Sequence, residues 1–286
     1  MRAPRPGSRG RCRVRRPGLS WFEWSALAVA ALIAACALVP GLLAPYAPLD
    51  VEPQRAFSPP SAAHPFGTDD SGRDVLSRIV FGARDSLTIG VTATIAGLTM
   101  GVVLGALAGG SRGRATAPLR FAADRTIEAL FAFPGLLLAL LLISIRGPGV
   151  ASLVIAVAIS TAPGYARLVR GGVRQALGSG AVEAARLQGD RAVRVWSGLI
   201  LPEALRPVIV LATLGVGQAV VLAAALGFLG LGAPPPAPEW GAMLNAGRPY
   251  LVKAWWLTFF PGLAILAVGI VTTVLGRAVE RRRGYA

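Results

Sequence analysis

The stretch SLTIGVTATIAGLTMGVVLGALAG, residues 86–109, decides the fold. It carries no charge and no proline. It is long enough to cross a bilayer, because a hydrocarbon core about 30 Å thick takes roughly 20 helical residues at about 1.5 Å each. Gly97, Gly101, Gly105 and Gly109 recur every four residues. That period puts one glycine stripe on one helix face, where a second helix can approach closely. The stripe has two readings: fixed helix packing, or an interface that slides during a transport cycle.

Five further apolar windows surround it, at 25–43, 129–145, 150–169, 208–231 and 254–275. The chain is 54% hydrophobic and 15% charged, against about 45–50% and about 25% in soluble domains. These numbers predict an all-α membrane protein with six transmembrane helices.

Arginine placement predicts the orientation. Only Lys253 among the 29 basic residues is a lysine. With the N-terminus inside, one side receives the N-tail (Arg2 to Arg16), the second-to-third connection (Arg112, Arg114, Arg120, Arg125), the fourth-to-fifth (Arg167 to Arg206) and the C-tail (Arg277, Arg281, Arg282, Arg283). That side holds twenty-two basic residues and the other seven. The positive-inside rule then puts both termini in the cytoplasm. It also accounts for the net charge of +15 without nucleic acid, since the charge is divided among four segments. Residues 1–20 read as a disordered basic cytoplasmic tail. Residues 21–83 read as a first span with a long outside loop, 84–276 as the core transmembrane domain and 277–286 as a cytoplasmic tail. The sequence Ile33-Ala34-Ala35-Cys36 imitates a lipoprotein signal, but the chain stays apolar beyond it, so an uncleaved helix is expected. Cys12 and Cys36 fall in the tail and the first span and predict no disulfide.

The windows at 86–109, 129–145 and 254–275 hold no ionisable group, nor do residues 150–166 and 208–237, apart from the phenol of Tyr165. Gradient-driven carriers and pumps need such groups in the membrane, so that class, and with it a channel acting alone, is disfavoured. There is no Gly-x-x-x-x-Gly-Lys-Ser/Thr nucleotide loop, no metal-ligating cluster and no nucleophile–base set, so no enzyme, cofactor or metal is expected on this chain. A structural or signalling protein that only binds a cytoplasmic partner is the third class.

Two outside loops carry information. In HPFGTDDSGRDVLSRIVFGAR, residues 64–84, Asp69, Asp70 and Asp74 read as turn and cap residues rather than a calcium loop. A short interfacial helix over 74–84 is expected. In GFLGLGAPPPAPEWGAMLNAGRPYLVKA, residues 227–254, the prolines forbid regular helix. Trp240, Tyr250, Trp255 and Trp256 fit an interfacial aromatic belt.

The third polar segment, residues 178–203, lies on the cytoplasmic side. Ser179 suits an N-cap and Glu183 the first turn of a helix. Ala184 and Ala185 leave room for close approach, and Gly189 suits the helix end. A second helix is expected near Arg191, with Val193, Trp196 and Ile200 on one face and Pro202 leading to the fifth span. A chain with no energy source of its own needs a place where a partner can push, and this helix pair supplies one.

At these residues a family resemblance appears. Glu183-Ala184-Ala185, then three residues, Gly189, nine more, Leu199 and the run Ile200-Leu201-Pro202 resemble the EAA loop of ABC-importer permeases. HPFGTDDSGRDVLSRIVFGAR and FLGLGAPPPAPEWGAML are similar to the peptide/nickel group, second (C-type) permease, over about residues 40–276. The resemblance implies the type I ABC-importer permease fold in a bacterial inner membrane. It implies a second permease as heterodimer partner, two ATPase subunits holding ATP and magnesium, and an extracytoplasmic binding protein. Glu183, Ala184, Ala185, Gly189, Asp190, Leu201 and Pro202 would couple to the ATPase. Asp190 stands where the family usually has a small residue, and the ending ERRRGYA replaces the usual acidic one. The implied cargo is a di- or oligopeptide, with nickel chelates, glutathione-like peptides or sugars as alternatives.

Overall fold

A computed structural model of the chain describes residues 20–110 and 116–282. Most of the expected basic tail, together with Arg112, Arg114 and Arg283, lies outside the described residues. Helix α1 (Trp21–Leu38) opens with a capping box: Ser20 and Glu23 satisfy each other's backbone N–H groups, which removes two of the orphan donors every helix start leaves. Pro40 ends its register and begins the single turn α2 (Pro40–Leu43).

Helix α3 (Val75–Gly110) is continuous. The short interfacial helix expected over 74–84 is therefore the first part of the span itself, because nothing between Asp74 and Ser86 breaks a helix. The third apolar window behaves in the opposite way. It is split between α4 (Ala117–Phe131) and α5 (Gly135–Arg146), which bend by 99° at the break. Pro134 accounts for the break: it lacks an N–H, and it pushes the preceding Phe133 out of the helical region. Next come α6 (Val150–Leu177) and α7 (Gly180–Leu187). After them lie α8 (Ala192–Val195), a π turn over Trp196–Ile200 and α9 (Leu201–Phe228). The described chain closes with α10 (Trp240–Gly247) and α11 (Trp256–Arg282). Among the described residues five helices are long and apolar enough to cross a membrane, or six with the bent pair as one crossing.

The glycine stripe sits against α6. A Cβ added to Gly97 would lie 3.0 Å from the Ala158 carbonyl oxygen, one on Gly101 3.0 Å from that of Ala162, and one on Gly105 2.5 Å from that of Ala166. The contacts advance together along both helices, so α3 and α6 run parallel with their backbones nearly touching. Helix α9 runs antiparallel to them: Gly90 faces Val220, and Gly215 faces Thr94 and Tyr165. Helix α11 then lies along α9, with Gly217 against Thr272 and Gly276 against Leu214.

The fold has two ends. At one, Gly110 abuts the Trp196 ring and Arg281 reaches Glu23 at 2.6 Å, so the start of α1, the end of α11 and the 178–203 hairpin share that end. At the other, the Trp256 indole N–H donates to the Thr68 carbonyl at 3.1 Å and that of Trp240 to Ile79 at 3.0 Å. Trp240 and Trp256 are buried, which corrects the expected aromatic belt. Each has a backbone acceptor within the protein, so neither needs the polar lipid zone. Trp255 alone of that set stays well exposed, and Tyr250 packs on Phe57.

Candidate functional site

The hairpin is built by its caps. The Ser179 hydroxyl accepts from the Val182 N–H at 3.4 Å and donates to the Ala176 carbonyl at 2.7 Å, tying the end of α6 to the start of α7. At the other end of α7 the Gly189 N–H donates to Arg186 at 3.0 Å and the Asp190 N–H to Ala185 at 3.0 Å. This pair of bonds is a Schellman motif, which needs a left-handed residue in the position Gly189 fills. Gly189 has φ +79°, and a Cβ there would meet nothing within 4 Å. The glycine is therefore required by backbone conformation, not by space.

The two alanines have separate roles. Ala185 and Val182 are buried in a cluster with Val173, Val195, Ile200 and Ala204, which seats α7 on the ends of α6 and α9. Glu183 and Ala184 face outward with Arg186 and Leu187. Past the elbow, Asp190 pairs with Arg194 at 3.3 Å on an exposed surface, and such a pair contributes little to stability. Leu201 and Pro202 lie at the root, where the π turn runs without a break into α9; Pro202 has no N–H to bond back into that turn. So Glu183, Ala184, Gly189 and Asp190 form the protruding elbow, Ala185 its seat, and Leu201 and Pro202 its base.

Three features escaped the sequence reading. The spacing puts Val193 on one face with Trp196 and Ile200, yet Val193 is 78% exposed while Ile200 is buried. The π turn inserts an extra residue per turn and rotates the register between them. Leu187 is likewise 84% exposed, so two large apolar side chains near Gly189 are left uncovered by the rest of the chain. Asp124 on α4 bonds Arg170 at 2.6 Å and reaches Arg174 at 3.5 Å on α6, fastening the bent pair beside the hairpin. A lone aspartate in a basic connection gave no periodic signal.

The opposite end carries a buried polar cluster. The Arg55 guanidinium lies 3.2 Å from His64 Nε2 and His64 Nδ1 lies 3.0 Å from Asp74. Arginine can only donate, so Nε2 accepts and the Nδ1–H donates to the carboxylate. Asp74 also takes the Ser77 N–H at 2.7 Å, starting α3. Asp69 accepts from the Ser71 and Arg73 N–H groups and pairs with buried Arg78 at 3.1 Å. These are the expected turn and cap roles. Glu239, fully buried, caps α10 by accepting from Gly241 and Ala242, both at 2.8 Å. Burial pushes its carboxyl above the usual glutamate range, while those N–H groups and Ser86 pull it back. Among the described residues no group of three or more His, Cys, Asp or Glu could hold a metal ion.

The described residues thus form a multi-span body with a rigid, capped polar hairpin at one end. The chain belongs to the inner membrane components of binding-protein-dependent transport systems, a family that matches residues 101–285. It is 43% identical over 251 residues to a di/tripeptide transport system permease protein of Pseudomonas aeruginosa, covering 86% of this chain and 82% of that one. It is 42% identical to a glutathione transport system permease protein of Pectobacterium atrosepticum, covering 76% and 71%. To a dipeptide transport system permease protein of Escherichia coli it is 39% identical, covering 82% and 79%. Among solved structures, an amino acid ABC transporter superposes with TM-score 0.58 at 19% identity, over 72% of this chain and 94% of that one. The MetNI methionine ABC transporter gives 0.56 at 21%, over 71% and 95%. The fold is that of ABC-importer permeases, and the chain is an inner-membrane permease subunit that works with a binding protein.

Proposed function

We propose that this chain forms half of the path of an importer for di- or oligopeptides and receives its drive from an ATPase through the 178–203 hairpin. The observation that carries the coupling is the elbow itself. It is capped at both ends of α7, seated on α6 and α9, and exposed along its outer face. A push on it reaches two spans directly. A second permease would complete the path, and a pair of ATPase subunits, holding ATP and magnesium, would sit against the elbow with both termini on their side. The peptide cargo is supported by the peptide and glutathione permeases among its relatives, glutathione being itself a tripeptide.

Uptake of labelled dialanine by cells deleted for this chain and complemented with variants tests the proposal. Wild type restores uptake. Gly189→Trp and Glu183→Lys abolish it while inserting at normal levels. Normal uptake in both variants overturns the coupling assignment, and restored uptake of nickel or a sugar in place of dialanine overturns the cargo.

A further inference from the structure

We infer that Arg167, Arg170 and Arg174 of α6, gripping Phe131 and Asp124 of α4, are positioning residues that make α4 follow the hairpin during transport. The inference rests on the hairpin as the place where the drive enters. The three arginines are spaced three and four residues apart, so they share one face of α6. They stand on its second half, just before Ser179 and α7. The Arg167 guanidinium lies 3.6 Å from the centre of the Phe131 ring, a cation–π contact. Further back along α4, Asp124 pairs with Arg170 at 2.6 Å and with Arg174 at 3.5 Å. Helix α4 therefore runs back along α6, held at two places by three side chains.

Apolar packing alone holds α4 weakly. Only Ala123 and Ile127 of its 15 residues are buried, beside Ala108 and Ala166. So small a seat fixes neither the tilt nor the rotation of the helix. The Asp124–Arg170 pair does, because its side chains are only 22% and 21% exposed, and a pair partly withdrawn from water attracts more strongly. The pair of Arg125 with Glu128 is exposed and joins two residues of α4 itself. Helix α5 is held differently: Ala139 and Ile143 pack with Leu153, Ala156 and Val157 near the start of α6. Both arms of the bend are thus seated on one helix, α5 by apolar packing and α4 by charge, and the charged arm is the one beside the hairpin. With its 12 residues α5 is too short to cross a bilayer, so the position of α4 sets the rest of that crossing. A stroke on the hairpin moves α6, and the arginines carry α4 with it.

The test uses the importer purified through a tag on this chain, together with its second permease, ATPase and binding-protein chains, in liposomes. Uptake of labelled dialanine and ATP hydrolysis are followed on one sample. Asp124→Asn should lower uptake at least about fivefold, with hydrolysis near the wild-type rate and normal yield of the complex. Asp124→Arg should do the same, and adding Arg170→Asp should restore uptake, because the pair re-forms with its charges exchanged. Arg174→Gln, which leaves the shorter bond in place, should have the milder effect. Parallel loss of uptake and hydrolysis, or loss of the complex, makes Asp124 a purely structural residue and overturns the inference. So does unchanged uptake in Asp124→Asn, or no recovery in the exchanged pair. Gly189→Trp in the same assay keeps the two readings apart. Its normal uptake sinks the elbow, whereas normal uptake in Asp124→Asn beside an inactive Gly189→Trp sinks the α4–α6 linkage alone.

Discussion

Glu239 shows how one side chain can stabilise a fold at a cost that depends on pH. It caps α10 with two backbone bonds and meets Ser86 on α3, yet burial leaves its carboxyl with a raised pKa. The folded state then holds this proton more tightly than the unfolded state does. Stability from the group is fully present below the ordinary value of about 4.5 and declines as pH rises through the raised folded value. Glu239→Gln should abolish that decline in a melting-temperature series. It should also lower stability by about 1–2 kcal/mol at low pH, because the amide nitrogen would face a backbone N–H. An unchanged pH profile in the variant would assign the decline to another group. The sequence offered only "PEW" at this point. A cap is legible before a known helix start, but residues 233–239, with four prolines among them, hid where α10 begins. Gly189 is legible for the opposite reason: a glycine ten residues beyond the serine cap Ser179 marks a helix end whatever surrounds it.

At the scale of elements, the α3–α6 contact favours fixed packing over sliding. Backbone oxygens of α6 stand in the space of the missing Cβ atoms at Gly101 and Gly105, and two helices interlocked at this spacing move as one body. Gly105→Val should therefore destabilise the protein by at least about 3 kcal/mol, beyond ordinary overpacking, since a carbonyl cannot yield as a side chain would. Gly164→Ala and Gly171→Ala, where a Cβ meets nothing within 4 Å, should leave folded yield in detergent unchanged. Equal yield for all three would return α3–α6 to the sliding reading. The helix spans and the hairpin were readable because length, charge and glycine spacing are local properties. The 99° bend was not, because Pro134 sits inside an apolar window that hydropathy alone scores as continuous. The burial of the two tryptophans is not legible in the sequence, because an indole near a span end fits a lipid interface or a protein core equally well, and only the acceptors at Thr68 and Ile79 separate the two.

At the scale of the whole molecule, the ion pair between α1 and α11 and the contact of Gly110 with Trp196 place the start of α1, the end of α11 and the hairpin together. The His64 and Glu239 clusters occupy the opposite end. The arginine imbalance predicts that the hairpin end is cytoplasmic. In a background with Cys12 and Cys36 replaced by serine, Val252→Cys should react with a membrane-impermeant maleimide in intact cells, and Leu187→Cys only after permeabilisation. The reverse pattern would invert the topology.

The bend between α4 and α5 has an electrical consequence. Helix α5 has 12 residues and is therefore about 18 Å long, well short of an oil layer about 30 Å deep. The rest of that depth, roughly 12 Å, is left to the break and to α4, so the positive end of the α5 dipole, with its unpaired backbone N–H groups, is set at Pro134 and not at the end of a full-length span.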